Sequence, residues 1–436
     1  VAGYEFDLDA ATARLTALFE TASVDGFGCK GLTNAVRAAG ALLYYLKETR
    51  MSALKHIKKP APYYTHEYLL SDSSTFKNLE ILQNIRTGAK EGTLLEALDR
   101  TKTASGGRLL KDWLRYPLRD IKEITRRQDA VAELLEDRAG RLGLVETLKE
   151  IYDLERLCAR VSMKTASPRD IAFLRFTLEK IPSLKDCLTG LTSDLLKEIH
   201  SSIDCVTEAS SLIKKALIDN PPNALKDGGV IREGFNAELD ELRNISTGGK
   251  DWLERLETDE KEKTGINSLK VGYNRIFGYY IEITKANRKD IPAEYSRKQT
   301  LVNAERYVTP ALKQWEEKII TAEEKAVAIE ADIFSELTRE LTRYTSRIQK
   351  TAGMVSNLDV LSSLAHAAQE QNYTRPVIND GDVIEIRGGR HPVVEAVTKD
   401  GFVANDLLLD SKENHLIVLT GPNMAGKSTY LRQNAL

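Results

Sequence analysis

The sequence predicts a multidomain, mainly α chain in which a small β module is inserted between two long helical arms, followed by the start of an α/β unit. Three observations carry that expectation. Apolar residues recur at three- and four-residue steps over about 31–220 and again from about 305 to 372. Between 265 and 306 the period drops to about two. A short apolar run at 415–420 then leads straight into a glycine-rich loop.

At 436 residues the chain has room for several cores, at roughly 150 residues per domain. Apolar residues at 42% and charged residues at 29% exclude a disordered or low-complexity chain. The 62 basic residues are balanced by 64 acidic ones, a net of -2, which excludes a globally basic nucleic-acid coat protein. Any DNA or RNA contact must come from a local patch. No apolar run approaches the ~18 residues a membrane span needs. The chain starts at Val1 without a charged-then-apolar leader, so no signal peptide is expected, and its abrupt ends suggest a fragment. Cys29, Cys158, Cys187 and Cys205 never form a C-x-x-C pair, as in a reduced, cytosolic chain with small buried thiols. The six histidines show no H-E-x-x-H spacing, so a protein-built zinc site is not expected.

Residues 1–30 mix apolar and polar types and close on the turn-rich Asp25-Gly26-Phe27-Gly28. The helical pattern that follows is illustrated by Leu94, Leu95 and Leu98, and by Leu109, Leu110, Trp113 and Leu114. Asn220-Pro221-Pro222-Asn223 breaks it. Residues 232–263 read as one charged helix interrupted at Gly248-Gly249. After Gly265, Leu269, Val271 and Tyr273 alternate with polar residues, and Phe277 to Thr284 is aromatic and β-branched, with a hairpin turn expected at Asn274-Arg275. From Ala311 to Asn372 there is no proline and one glycine, on a near-heptad spacing, so a helix of about forty residues is expected, ~60 Å long. The inserted β module would then sit at the tip of an antiparallel lever. From Pro376 the pattern is β-like.

The run His415 to Thr420 suits a buried parallel strand. Directly after it, Gly421-Pro422-Asn423-Met424-Ala425-Gly426-Lys427-Ser428 fits G-x-x-x-x-G-K-[ST]. Such glycines let the backbone turn its N–H groups toward phosphate oxygens. Lys427 supplies a point charge for the β- and γ-phosphates, the Ser428 hydroxyl is placed to ligate Mg²⁺, and a helix starting there adds its dipole. Eight residues follow Ser428, too few for a strand carrying the acidic residue that holds the metal and orients water. Efficient hydrolysis by this stretch alone is therefore not expected, and no catalytic residue is assigned.

Charge is unevenly placed. Residues 270–313 hold nine bases against four acids, whereas 238–263 hold nine acids against five bases. A basic module on long arms could grip phosphates without reading bases; the alternative is a solvated charged surface.

These motifs together resemble the bacterial-type DNA mismatch-repair MutS family. The resemblance rests on Gly421 to Tyr430, on Gly389-Arg-His-Pro-Val-Val-Glu395, on Asn303-Ala-Glu-Arg-Tyr307, on Gly278-Tyr-Tyr-Ile281 and on Gly106 to Pro117 with Trp113. It implies a long helical lever domain with an inserted small β clamp module, followed by the start of an α/β P-loop ATPase domain. Residues 1–29 would end a connector domain, 30–245 and 307–375 form the lever, 246–306 the DNA clamp and 376–436 the N-terminal part of the ATPase domain. In the family, two subunits encircle double-stranded DNA, and ATP exchange converts a mismatch-bound complex into a sliding clamp that recruits a MutL-type partner. The resemblance thus implies ATP and Mg²⁺ as cofactors, a homodimer of the full-length protein, a cytoplasmic location and no membrane.

Carried over residue by residue, Gly421 to Thr429 would hold the ATP phosphates and Ser428 the Mg²⁺. Phe402 matches the position that stacks on adenine, though an aromatic there also reads as ordinary core. Asn274 and Asn303 match clamp positions; Arg275, Arg297 and Lys298 are added on charge. His391 reads as structural. The mismatch-reading domain with its Phe-x-Glu wedge is absent; Phe334-Ser335-Glu336 lies inside the long helix and takes no wedge role. The second acidic strand, the signature loop and the C-terminal dimer contacts are missing too. Two other readings stay open: a MutS-like paralogue acting on recombination intermediates or stalled ribosomes, and a non-enzymatic helical scaffold with a vestigial loop. Such paralogues generally lack the clamp, so the β insertion argues against the first.

Overall fold

A computed structural model describes residues 3–19, 21, 23–27, 29–49, 57, 64, 67–274, 278–285, 291–398, 401–423 and 425–436. The first helices are α1 (Leu8–Phe19), α2 (Thr33–Thr49), α3 (Ser73–Asn78), α4 (Leu94–Leu98), α5 (Ala104–Arg115) and α6 (Ile121–Glu136). After them come α7 (Arg138–Lys149), α8 (Leu154–Ser162), α9 (Pro168–Asp186), α10 (Asp194–Ser202), α11 (Thr207–Ala216) and α12 (Ala237–Thr264). Strands β1 (Lys270–Asn274), β2 (Gly278–Thr284), β3 (Ser296–Thr300) and β4 (Ala304–Val308) precede α13 (Pro310–Leu341) and α14 (Thr345–Gln371). The chain closes with β5 (Ile384–Gly389), α15 (Pro392–Val397), β6 (Asn405–Leu409) and α16 (Lys427–Ala435). Two compact units divide these elements: Val1–Met163 with Lys180–Cys205 and Arg347–Leu436, and Lys164–Glu179 with Val206–Ser346.

Local chemistry sets most helix starts in the first unit. Asp72, Thr93, Thr103, Asp120, Asp137 and Asp153 are N-caps whose side chains accept first-turn N–H groups. α1 and α2 share a cluster of Ala11, Leu15, Val24, Val36 and Leu43, which joins residues on both sides of position 29. Gly40 makes their close approach, because a Cβ there would collide with Ala11. The middle of α14 is buried, with Leu358, Val360, Leu361 and Ala365 all fully enclosed. Its polar residues hold the α4–α5 turn: the Ser363 hydroxyl accepts from Arg100 N at 2.7 Å and donates to the Leu98 carbonyl at 3.0 Å. Arg390 in turn closes the C-terminal end of α14, donating to the carbonyls of Gln371 and Asn372 at 2.8 and 3.0 Å.

In the second unit α12 and α13 lie side by side. Trp252 stacks on Trp315 with centroids 4.7 Å apart, and the Ser246 hydroxyl donates to Glu323 at 2.8 Å. β1 to β4 form one antiparallel sheet in the order β1-β2-β4-β3. Ile281, Ile283 and Tyr307 face a core completed by Leu256 of α12, Leu312 of α13, Leu269 and Tyr295. Each arm also holds the β1–β2 hairpin by its backbone: Val271 N donates to Glu257 at 2.9 Å, and Tyr279 N donates to Glu316 at 3.1 Å.

Four sequence expectations need correction. The Gly248-Gly249 interruption does not occur, since α12 runs unbroken from Ala237 to Thr264. Two glycines cost about 2 kcal/mol in a helix interior, and the contacts of Ser246 and Trp252 with α13 on either side hold the helix together. The long helix after 310 ends at Leu341, about 48 Å from its start, and a 3₁₀ turn at Thr342–Tyr344 separates it from α14. There the Thr342 hydroxyl donates to the Arg339 carbonyl at 2.6 Å, and that of Thr345 to the Thr342 carbonyl, competing with the regular ladder. Asn274 is the last residue of β1 rather than a turn residue, and Arg275 lies outside the described residues. The strand expected at 415–420 is absent: the segment is irregular and Leu416 and Val418 are each 78% exposed. A buried parallel strand needs hydrogen-bonding neighbours, and among the described residues none pairs with this run.

Candidate nucleotide loop and nucleic-acid surface

The glycine-rich loop occupies one edge of the first unit. Gly421, Pro422, Asn423 and Ala425 are exposed, and Met424 lies outside the described residues. Gly426 is the N-cap of α16 with φ +86°, a left-handed conformation that a side chain would resist. No side chain caps this helix. The first-turn N–H groups, with Ser428 and Thr429 among them, therefore remain available to an anion at the helix start. Lys427 folds back across the loop and donates to the Gly421 carbonyl, so the residues at its two ends meet. Tyr430 ties the helix down by donating to the Asp406 carbonyl at 2.9 Å. Phe402 stands half-buried in the segment leading into β6.

The Gly-Arg-His-Pro run proves to be scaffolding for this region. His391 is buried as the N-cap of α15, with its Nδ1 accepting from Val394 N at 3.4 Å. Burial, reinforced by the Arg432 guanidinium, pushes its imidazole below the ordinary histidine range. Arg390 pairs with Glu395 at 2.7 Å.

On the β module, strand register decides which charges are free to act. Lys270, Glu282, Arg306 and Gln299 line up across the sheet face turned away from the core. Arg306 donates to Glu282 and to Gln299, both at 2.9 Å, and lies 4.1 Å over the Tyr280 ring. Arg297 approaches the buried Glu305 at 3.5 Å. Lys298 differs: the register skips it between Arg297 and Gln299, so it is the extra residue of a bulge on the exposed edge strand β3. A bulge re-aims its side chain.

Asn274 and Asn303 stand at opposite ends of β2. Asn274 pairs with Gly278, whereas Asn303 follows from the Thr284–Ala304 pair, about 20 Å along the strand. The Asn303 carbonyl accepts from Lys285 N at 3.1 Å. Sequence reasoning missed Lys285 as a neighbour of Asn303. The signal was the antiparallel pairing of β2 with β4, which spacing alone does not reveal.

Two arms carrying a four-stranded sheet define an arm-and-insert architecture, and it has known counterparts. The family model described as MutS domain III matches residues 74–365, and that described as MutS domain II matches residues 2–58. The DNA mismatch repair protein MutS of Caldanaerobacter subterraneus subsp. tengcongensis is 47% identical over 401 residues, covering 92% of this chain and 46% of that protein. That of Symbiobacterium thermophilum is 44% identical over 435 residues, covering 100% of this chain and 50% of that protein. The MutS of Salinibacter ruber is 45% identical over 433 residues, covering 99% and 48%. The chain belongs to the MutS family, and it spans about half the length of the curated relatives it matches. Among the described residues, no helix is long and apolar enough to cross a membrane.

Proposed function

We propose that the chain is part of a DNA mismatch-repair protein that binds mismatched duplex DNA as an ATP-controlled clamp and signals to a MutL-type partner. The observation that carries this reading is 44–47% identity to proteins named DNA mismatch repair protein MutS across nearly the whole chain. The domain layout we propose takes residues 1–29 as the end of the connector, 30–245 and 307–375 as the lever, 246–306 as the clamp and 376–436 as the start of a P-loop ATPase domain. The first of these boundaries lies inside the 2–58 span of the domain II match. The parent protein acts as a cytoplasmic ATPase and homodimer.

In this reading the loop from Gly421 to Thr429 holds the ATP phosphates, Ser428 the Mg²⁺ and Phe402 the adenine. The uncapped start of α16 and the left-handed Gly426 suit a bound polyphosphate. Lys427 would exchange the Gly421 carbonyl for a phosphate oxygen. Held by Ser428, Mg²⁺ would neutralise charge on the bound phosphates. On the β module Asn274, Arg275, Arg297, Lys298 and Asn303 contact the duplex backbone, with Lys298 best placed to do so because the bulge leaves it outside the sheet's ion pairs.

The test uses the full-length protein. Lys427→Ala is expected to keep mismatch binding but lose ATP-driven release from a labelled mismatched duplex. Release at the wild-type rate would remove the role given to Lys427. Failure of the wild type to bind labelled ATP with Mg²⁺ would favour the scaffold reading.

A further inference from the structure

A cavity of about 480 Å³ opens in the first unit between α5, α6, the end of α14 and the segment 373–376. Its size lies within the ~300–1,000 Å³ of small-molecule sites. The walls are mainly apolar, with Leu110, Leu114, Ile124 and Val131 among them. Two cations line it, Arg375, which is paired with Asp129, and Arg127. The Arg127 guanidinium lies over the Trp113 ring, 3.5 Å from the centroid.

Among the described residues Arg127 makes no ion pair, although its neighbours do. Glu123, one turn earlier, is taken by Arg126 at 2.9 and 3.1 Å. Asp129 is taken by Arg375 at 2.7 Å. Gln128 donates to the Pro376 carbonyl at 3.0 Å and so closes one wall. Among the described residues no carboxylate lies within ion-pair reach of Arg127, which is half-buried. Burial pulls its pKa down to about 10, outweighing the opposing pull of the Glu123 charge one turn away. A guanidinium is a rigid fork of donors matched to a carboxylate, and stacking on an aromatic ring leaves its edges free. An apolar chamber with one such unmatched cation is complementary to a molecule with an apolar body and one negative head.

We propose that this cavity binds a small amphipathic carboxylate, with its head group on Arg127 and its body against Leu110, Leu114, Ile124 and Val131. Bound there, the ligand ties α6 to the 373–376 segment that leaves α14. Nothing in this assignment depends on the nucleotide or DNA reading.

Octanoate and octanol, which share a chain length and differ in charge, are titrated into the full-length protein by calorimetry. Saturable octanoate binding at least tenfold tighter than octanol is expected. Arg127→Gln should bring octanoate down to the octanol level, and Val131→Trp, which fills the chamber, should abolish both. Equal affinity for the two ligands in the wild type, or no saturable binding of octanoate, overturns the proposal and needs no variant. Undiminished octanoate binding by a folded Arg127→Gln protein overturns it as well.

Discussion

Asp359, buried in the middle of α14, accepts from both the backbone N–H and the hydroxyl of Thr103, each at 2.7 Å. Its carboxylate also takes the Lys102 N–H at 2.9 Å. Thr103 is the N-cap of α5, so a residue 256 positions away completes the cap of a helix that carries one of the family's motifs. Burial holds the Asp359 carboxyl above the ordinary range in spite of these donors.

The first prediction concerns that contact. Asp359→Ala leaves two buried donors of Thr103 and the part-buried Lys102 N–H without this acceptor and should cost about 2–4 kcal/mol of stability. Gly106→Ala should cost a comparable amount, because its Cβ would be built into the Asp359 carboxylate, which its hydrogen bonds hold in place. Chemical denaturation of the two single variants and the double variant checks this. A double variant no worse than either single one is expected, since both damage one contact.

Glu330 plays the equivalent part in the second unit. It is 2% exposed and accepts from Gly229 N at 3.1 Å, Val230 N at 2.8 Å and Arg243 at 2.6 Å. Glu330→Ala should therefore destabilise by about 3–5 kcal/mol, leaving two N–H groups without their acceptor and removing the buried carboxylate that pairs with Arg243. Glu330→Gln, which keeps one carbonyl acceptor, should lose less. Protection of the Gly229 and Val230 amides in hydrogen exchange is the direct readout.

His391 predicts a pH dependence. Its folded pKa lies below the unfolded value near 6.5, so the unfolded chain takes up the proton first. The stability it contributes is present above about pH 6.5 and declines as pH falls toward the lowered folded value. His391→Asn keeps an N-cap acceptor without a titrating ring. That variant should show a flatter stability profile between pH 5 and 7 than the parent, measured by thermal midpoint.

The β module separates two basic residues that look alike in sequence. Lys298→Ala should lower the slope of log K against log salt for duplex binding by about 1, the signature of one lost phosphate contact. Arg297→Ala should change it less, because its guanidinium already faces Glu305. Equal slopes for Lys298→Ala and wild type would remove Lys298 from the DNA surface.

Much of this architecture could be read from local pattern. The helical stretches were legible because apolar residues recur at three- and four-residue steps, while the Asp and Thr caps that set individual helix starts emerged only with the structure. The switch from helical to alternating period placed the β module, and the glycine, lysine and serine spacing of the loop was visible by itself. What escaped were the properties that depend on a partner far away in the chain. An apolar run such as 415–420 forms a strand only beside neighbouring strands, and Gly248-Gly249 stays helical only against α13. Local propensity amounts to about 1 kcal/mol per residue, and packing overrides it.

The same division runs through the candidate sites. Residue type and spacing settled that a G-x-x-x-x-G-K-S run lies at 421–428 and that residues 270–313 are basic, since both are properties of neighbours in sequence. Folding decided which of those charges remain unpaired. Arg306 is spent on Glu282, Arg297 faces Glu305, and Lys298 is turned out by a bulge. The physical reason is that a charge is neutralised by whatever lies within ~4 Å of it, and in a sheet that neighbour is chosen by register rather than by sequence.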